Sequence, residues 1–301
     1  MSGRVLYGGR EQQPLARAWV VLHRVTPAGG GGPIDSVRTD TRGAYALTVA
    51  RTDTSAMYVV SCWYGGIAYF SEVVTGSRGN TGLRPLLVYD TTSAGPGVQV
   101  ARRLVTFAHA KADGSRDALE LLELLNPGRK TRIAPDSARP TWTGAVPHEA
   151  IQFQVGQGDL SAEAVTLRGD SVAVFGPVPP GEPKQLSYAY VLPGNVERLA
   201  LPVDQATAEL DLLLEDTTAA VAAPQLDTLG REALEGRRFA RYRARSLPAG
   251  AAVTIAFPAP SRTRAEALVP WVVALAAVAL AVGFVVALRR KPPLAAHYPI
   301  R

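Results

Sequence analysis

One stretch of the sequence restricts the fold more than any other: residues 267–288 read ALVPWVVALAAVALAVGFVVAL and contain no charged side chain. A helix of this length extends about 33 Å, enough to cross the hydrocarbon core of a bilayer. A buried helix of a soluble domain would normally carry a polar stripe, and this stretch has none. The sequence therefore predicts one membrane-spanning helix near the C-terminus.

The charges next to this stretch predict its orientation. Arg289, Arg290 and Lys291 follow it directly, and the cytoplasmic flanks of membrane helices are enriched in such residues. We therefore expect residues 289–301 in the cytoplasm and the large N-terminal part outside the cytoplasmic membrane. The first residues lack a basic segment leading into an apolar one, so two possibilities stay open. Either an export signal lies upstream of this sequence, or the protein is tail-anchored with cytosolic domains; the basic flank favours export.

The net charge of +6 does not indicate binding to nucleic acid. Four of these charges lie in the short segment after the span, which leaves a net charge of about +2 for everything before it. Recognition of nucleic acid would require a clustered basic face.

Upstream of the span the pattern is typical of β-sandwiches: short segments rich in Val, Leu, Thr and Tyr alternate with Gly, Pro, Asn and Asp. The expected fold class is mainly β, with tandem β-sandwich domains of immunoglobulin or transthyretin type followed by one transmembrane helix. The predicted parts are a β-sandwich 1–95, a second β-sandwich 96–195, a β segment 196–258, a linker 259–266, the span 267–288 and the tail 289–301. The segment 196–258 is either a third domain or the second sheet of the preceding one.

Two turns are predicted with particular clarity. Asp40 to Gly43 separates two strands, with Asp40 able to bond its own backbone and Gly43 able to adopt positive φ. Asp113-Gly114 lies between two long apolar runs, which indicates a β-hairpin. A further segment, residues 185–192, alternates between apolar and small or polar side chains, as a strand with one buried face does.

The first ninety residues resemble the carboxypeptidase regulatory-like domain, a seven-stranded transthyretin-like sandwich. The matching segments are residues 2–5 (SGRV), 14–22 (PLARAWVVL) and 36–45 (SVRTDTRGAY). The resemblance implies a fold and no chemistry, because domains of this family support or dock other domains. The order of sandwich modules followed by one span looks like that of bacterial envelope proteins.

Candidate catalytic and metal-binding groups are sparse. The four histidines are scattered without a ligand spacing, and no serine nucleophile motif occurs. Cys62 is the single cysteine, and its apolar flanks predict a buried strand position. The acidic groups Glu120/Glu123 and Asp211/Glu215/Asp216 are interpreted as solvated faces of strands. The sequence thus predicts no catalytic residue, no metal and no cofactor.

A basic strand is predicted at residues 237–245. Arg237, Arg238, Arg241 and Arg243 could contact anionic lipid or polysaccharide. A solvated edge strand, protected from aggregation by its charges, is the favoured interpretation.

The aromatic run around residues 63–70 is the one candidate ligand platform. Sugar-binding sandwiches use exposed rings, and the turn at Gly65-Gly66 could display Trp63 or Tyr64, with Tyr69 as a third ring. The favoured alternative is a hairpin whose rings fill the sandwich core.

Together these features predict a non-enzymatic, membrane-anchored envelope protein whose β domains scaffold or bind partner proteins. Two alternatives stay open: a membrane-anchored carbohydrate-binding module, and an accessory subunit of a membrane complex. The expected partners are the membrane, other envelope proteins and, in the second alternative, a glycan.

Overall fold

The computed structural model describes residues 1–9, 12–25, 31–49, 56–76, 81–234 and 236–258. Within these ranges the chain is mainly β, and the only helical element is one 3₁₀ turn, Ala162–Ala164. No helix in these ranges has the length and apolar character required to cross a bilayer. The predicted linker, the span 267–288 and the basic residues Arg289, Arg290 and Lys291 lie outside the described residues.

The first β-sandwich is built from nine strands: β1 (Ser2–Tyr7), β2 (Gln13–Pro14), β3 (Trp19–Val25), β4 (Gly31–Arg38), β5 (Ala44–Ala46), β6 (Met57–Tyr64), β7 (Ile67–Phe70), β8 (Val74–Thr75) and β9 (Leu86–Val88). One sheet has the order β2-β1-β5, with β9 parallel to β1. The other has the order β4-β3-β6-β7, with β8 beside β6. The apolar side chains between the sheets include Val5, Val20, Leu22, Tyr58, Val60, Cys62 and Val88.

The turn at Asp40–Gly43 has the predicted geometry. Asp40 Oδ1 accepts the backbone N–H groups of Arg42 and Ala44, each at 2.8 Å. Gly43 has φ +71°, and a β-carbon at this position would lie 2.4 Å from the carbonyl oxygen of Val5. Both the backbone conformation and the close contact therefore require glycine here.

The second β-sandwich uses the remaining strands: β10 (Thr91–Thr92), β11 (Gln99–Phe107), β12 (Arg116–Leu125), β13 (Thr131–Arg132), β14 (Trp142–Ala145), β15 (Ile151–Val155), β16 (Val165–Arg168), β17 (Ser171–Val174), β18 (Lys184–Leu192), β19 (Arg198–Leu201), β20 (Thr207–Leu214), β21 (Ala220–Ala222), β22 (Leu226–Leu234), β23 (Arg237–Leu247) and β24 (Val253–Ala256). A seven-stranded sheet runs β15-β18-β12-β11-β20-β23-β22. Two three-stranded sheets, β14-β17-β16 and β19-β24-β21, accompany it.

The strands of residues 196–258 share one core with the preceding strands. Strand β20 pairs in parallel with β11, inside the seven-stranded sheet. The buried apolar side chains form one continuous cluster from Val98 to Phe257. Residues 96–258 therefore pack as one unit in the described part of the chain.

The Asp113-Gly114 hairpin and the alternating strand are both present as the sequence predicts. Strands β11 and β12 pair antiparallel on either side of the turn, and Gly114 has φ +82°. In β18 the side chains of Leu186, Tyr188, Tyr190 and Leu192 are buried together.

The interpretation of residues 237–245 as an edge strand is wrong. Strand β23 lies between β20 and β22, so it has neighbours on both sides. The edge is β22, whose residues are nearly all exposed. Its sequence, LDTLGREAL, contains one β-branched residue, Thr228, and no aromatic residue, so it has little of the composition by which strands are recognised.

Candidate binding face

The outer face of one sheet of the first sandwich carries a group of aromatic side chains. Successive residues of a strand point to opposite faces, so Val20, Leu22 and Cys62 point into the core while their neighbours point outward. The register aligns Val20 with Cys62, and this places Trp19 and Trp63 at neighbouring positions on β3 and β6.

The register of β7 completes this surface. Phe70 pairs with Ser61, and Ser61 pairs with Val21, so Phe70 lies on the same outward side as Trp63. His23, two residues beyond Val21 on β3, also lies on this side. We call the surface formed by Trp19, His23, Trp63 and Phe70 the aromatic face.

The rings of the aromatic face are unusually exposed for their size. Trp63 is 64% exposed, Phe70 61% and Trp19 47%, and Ile34 at the adjacent β-bulge of β4 is also 47% exposed. Burying one such side chain would contribute roughly 1.5–3 kcal/mol. A cluster of several on one sheet face is typical of an interaction surface, whereas isolated exposed apolar residues are common.

The polar groups of the aromatic face are already engaged. His23 Nε2 lies 2.8 Å from Ser61 Oγ, and the His23 and Phe70 rings lie 6.4 Å apart. The guanidinium of Arg38 lies over the Trp19 ring at 5.3 Å. Between His23 and Phe70 is an open depression of about 370 Å³, also lined by Val25 and Val59.

The structure separates the three rings that the sequence groups together. Trp63 belongs to the aromatic face, but Tyr64 and Tyr69 point to the other side of the sheet. The Tyr64 hydroxyl donates to Asp90 Oδ1 at 3.1 Å. Tyr69 is buried, and its hydroxyl donates to the Tyr89 carbonyl at 2.9 Å.

Tyr69 also joins the two sandwiches. Its hydroxyl lies 2.7 Å from Oγ1 of Thr131, a buried residue of β13. Burial raises the pKa of the Tyr69 phenol. The side chain therefore acts as a neutral hydrogen-bonding group of the interior.

Two rings of the aromatic face, Trp19 and Phe70, were not predicted as site residues. The sequence contains a signal for them, because every second residue of a strand lies on the same face. Trp19 therefore shares a face of β3 with His23, and Phe70 shares a face of β7 with Ala68. The cross-strand register that brings them beside Trp63 is a tertiary property, and no local pattern specifies it.

The sequence pattern predicts solvated faces for five acidic residues, and this prediction is wrong for three of them, because Glu120, Asp211 and Asp216 are buried in the second sandwich. Glu120 is fully buried on the core side of β12 and lies 2.8 Å from Arg103 Nε. The hydroxyls of Tyr188 and Tyr190 donate to its two oxygens at 3.0 and 2.9 Å. The physical reason is the alternation of side chains along a strand: Glu120 lies on the same face of β12 as the buried residues Ala118 and Leu122.

The pKa values in this buried cluster follow from its charges. Burial opposes the charge of Arg103, but the Glu120 carboxylate overcomes this effect and holds the Arg103 pKa above its ordinary value. Burial, reinforced by Glu120, raises the pKa of Tyr188 and of Tyr190 well above the ordinary range. One ion pair and two neutral phenols therefore occupy the core.

Asp211 is the second buried carboxylate, on the outer side of the seven-stranded sheet. Arginine side chains cover it: Arg102 Nη2 lies at 2.8 Å and Arg243 Nε at 2.9 Å. Burial raises the Asp211 pKa, but the hydrogen bonds from Arg243 and Arg102 outweigh burial and hold it below its ordinary value. Two arginines of the predicted basic strand, Arg241 and Arg243, thus serve as partners of a buried acid.

The remaining groups do not converge on a reactive centre. No group of three or more potential metal ligands occurs among the residues that the structure describes. Cys62 is buried, and burial raises its thiol pKa to about 11, so it is a poor nucleophile. His109 contacts Asp216, and His148 lies 3.1 Å from Glu149 in a different part of the fold.

Comparison with known proteins gives distant structural similarity alone. No family model and no curated protein matches the chain. An M1 zinc metallopeptidase from Deinococcus radiodurans is similar over 54% of this chain and 43% of its own, with 11% identity and a TM-score of 0.35. A mutant of the same enzyme matches over 53% and 42%, with 12% identity and a TM-score of 0.35. The chain spans less than half the length of these structures, and the similarity is too distant to bear on its activity.

Proposed function

We propose that this chain is a non-enzymatic, membrane-anchored envelope protein that binds a partner protein through the aromatic face of its first sandwich. The observation that carries this proposal is the exposure of Trp19, Trp63 and Phe70 on one side of one sheet. Aromatic side chains are enriched at the centres of protein–protein interfaces, where they fill pockets of the partner.

The composition of the face favours a protein partner over a glycan. Sugar recognition requires free polar groups around the rings, to bond the hydroxyls. Here His23 and Ser61 bond to each other, and half-buried aliphatic side chains, Val21 and Val59, form the surface between the rings. The expected partner surface is therefore apolar, with acidic groups near Arg38.

The membrane anchor belongs to the same proposal. Residues 267–288 would span the cytoplasmic membrane, with Arg289, Arg290 and Lys291 on the cytoplasmic side. The described chain ends at Pro258, whose carbonyl accepts a hydrogen bond from Arg116 Nη2 at 3.0 Å. Eight residues would then connect the second sandwich to the span, so the sandwiches would lie close to the membrane surface. The accessory-subunit alternative shares this arrangement.

Site-specific photocrosslinking in intact cells tests the partner. A photoreactive amino acid replaces Ser36, which pairs with Val21 beside the aromatic face, or Arg198, an exposed residue of the second sandwich. We expect a discrete crosslinked protein from position 36 and none from position 198. The combined changes Trp19→Ser and Trp63→Ser should abolish this crosslink.

A pull-down on peptidoglycan and on neutral polysaccharides tests the alternative in which the aromatic face binds a glycan. Retention of the purified protein on either polymer, lost with the two tryptophan substitutions, would replace the protein-binding proposal by the glycan-binding one. A crosslink at position 36 that persists without both tryptophans would contradict the proposal as well.

A further inference from the structure

We propose that a pocket at the junction of the two sandwiches binds an oxyanion, that is, a phosphate, sulfate or carboxylate group. The pocket has a volume of about 340 Å³ and lies between the segment of residues 92–96 and the loop of residues 126–132. We call it the junction pocket. This inference is independent of the function proposed for the aromatic face.

The charged side chains that line the junction pocket are all cationic. Its lining includes Arg129, Lys130 and Arg132, and none of its lining residues is acidic. The carboxylate of Asp90, just before the first segment, accepts hydrogen bonds from the hydroxyls of Tyr7 and Tyr64. Three cationic side chains thus surround a small volume without a carboxylate in its lining.

Two nitrogen atoms of the Arg132 guanidinium, Nε and Nη1, are buried and have no hydrogen-bond partner among the residues that the structure describes. A buried donor of a charged group that is left without an acceptor destabilises the fold. An oxyanion in the pocket would bring the opposite charge and would accept a charge-assisted hydrogen bond from an unsatisfied N–H group of Arg132.

The backbone around Arg132 is fixed, so its side chain is held at the pocket. Strand β13 pairs in parallel with β10, and the Ile133 N–H donates to the Thr92 carbonyl at 3.0 Å. On the other side the Arg132 N–H donates to the Val178 carbonyl at 2.9 Å.

A buried asparagine holds the basic loop in place. Asn126 Nδ2 donates to the carbonyls of Lys130 and Val178, at 2.9 and 2.7 Å, and Asn126 Oδ1 accepts the Gly128 N–H at 2.9 Å. The site is therefore organised before a ligand arrives, which reduces the entropic cost of binding.

Titration of the full-length protein in detergent with inorganic phosphate tests the site, with chloride at equal ionic strength as the reference. We expect phosphate to raise the melting temperature in a saturable way beyond the effect of chloride. Sulfate and acetate, titrated in the same way, test the wider oxyanion class. The Arg132→Met variant should weaken phosphate binding on the order of tenfold or more, as expected for the loss of charge-assisted hydrogen bonds.

Two further measurements on variants distinguish an Arg132 that binds a ligand from one that only supports the fold. Without phosphate, Arg132→Met should melt no lower than the unmodified protein, because it removes an unsatisfied buried cation. The control Arg198→Met, at an exposed position of β19, should bind phosphate normally. A phosphate effect no larger than that of chloride, or an Arg132→Met variant that still responds, would overturn the proposal.

Dihexanoyl phosphatidylglycerol, a short-chain soluble lipid, distinguishes a lipid headgroup from a free anion. It is titrated into the same detergent solution. An Arg132-dependent rise in melting temperature with this lipid, without any response to free phosphate, sulfate or acetate, would assign the oxyanion to a lipid. A lipid effect that does not depend on Arg132, with no response to the free anions, would contradict the site.

Discussion

The two sandwiches of this chain place their side chains in opposite ways. The first exposes three aromatic rings on the outside of a sheet, whereas the second buries Arg103 and Glu120 in its core and Asp211 under arginine side chains on its outer face. Both arrangements go against the usual partition of apolar residues inside and charged residues outside. The two departures differ in whether other side chains of the chain compensate them.

In the second sandwich the departure is compensated inside the fold. The Glu120 carboxylate has an arginine and two tyrosine hydroxyls as partners, so its burial leaves no oxygen unbonded. In the first sandwich nothing within the described residues covers Trp63 or Phe70. The internal cluster is therefore expected to control stability, and the exposed rings to control association.

The largest effect is expected at Glu120. The Glu120→Gln variant leaves Arg103 as an uncompensated buried charge, and loss of one member of a buried ion pair costs about 3–5 kcal/mol. Urea denaturation of a protein that keeps Trp142 as its single tryptophan, with Trp19, Trp63 and Trp271 replaced by Phe, measures the loss through the fluorescence of the second sandwich. Glu123→Gln, on the other side of β12, is the matched control.

A combined variant sharpens this test. Arg103→Met and Glu120→Leu, together with Tyr188→Phe and Tyr190→Phe, remove both charges and the two hydroxyls that bond Glu120. This variant should recover most of the stability lost in Glu120→Gln, since apolar replacements of buried ion pairs are often neutral. A Glu120→Gln loss close to that of the Glu123 control would show that the cluster does not stabilise the sandwich.

The next effect is expected at the turn of the first sandwich. Gly43→Val forces a β-branched residue to positive φ and close to the Val5 carbonyl, so we expect a loss of about 1–2 kcal/mol. The melting transition of the first sandwich measures it. Gly97→Val is the control, because a β-carbon there meets nothing within 4 Å. Equal losses for both variants would contradict the role of the turn.

A pH-dependent effect is expected at Asp211. Its pKa is lowered in the folded protein, so its contribution to stability is present above the ordinary carboxyl pKa and is lost as the pH falls through the folded value. Asp211→Asn should therefore destabilise the second sandwich at pH 6 and have progressively less effect below about pH 4. Thermal melts across this range measure the difference, and a constant difference would contradict the assignment.

The smallest effect on stability is expected at the aromatic face. Trp63→Ser and Phe70→Ser remove side chains that are already mostly solvated, so the free energy of unfolding should change by about 0.5 kcal/mol or less. The crosslink at position 36 should nevertheless disappear. A loss of several kcal/mol would mean that these rings support the fold and are not available to a partner.

Local patterns predicted much of the strand structure. The Asp40–Gly43 turn, the Asp113-Gly114 hairpin and the alternation in β18 depend on neighbouring residues, and the structure has all three. Strand β22 was missed because its stability comes from pairing with β23 and little from its own composition. The burial of Glu120 was missed because an isolated Glu signals a solvated face. Its partner Arg103 becomes adjacent only when β11 and β12 pair.

The candidate site, like the fold, could be predicted from the sequence only in part. The sequence identified Trp63 but grouped it with Tyr64 and Tyr69, although residues of unlike parity cannot share a sheet face. Its actual neighbours come from β3 and β7, across a register that depends on the whole sandwich.

The parallel pairing of β11 with β20 has a consequence for the order in which the chain folds. About 100 residues separate the end of β11 from the start of β20. At synthesis rates of about 5–20 residues per second, β11 exists for about 5–20 s before its partner is made. During this time the β11 edge of the hairpin β11–β12 has no partner and is open to incorrect association. The first sandwich can close on the ribosome within its own ninety residues, but the second must wait for nearly its full length.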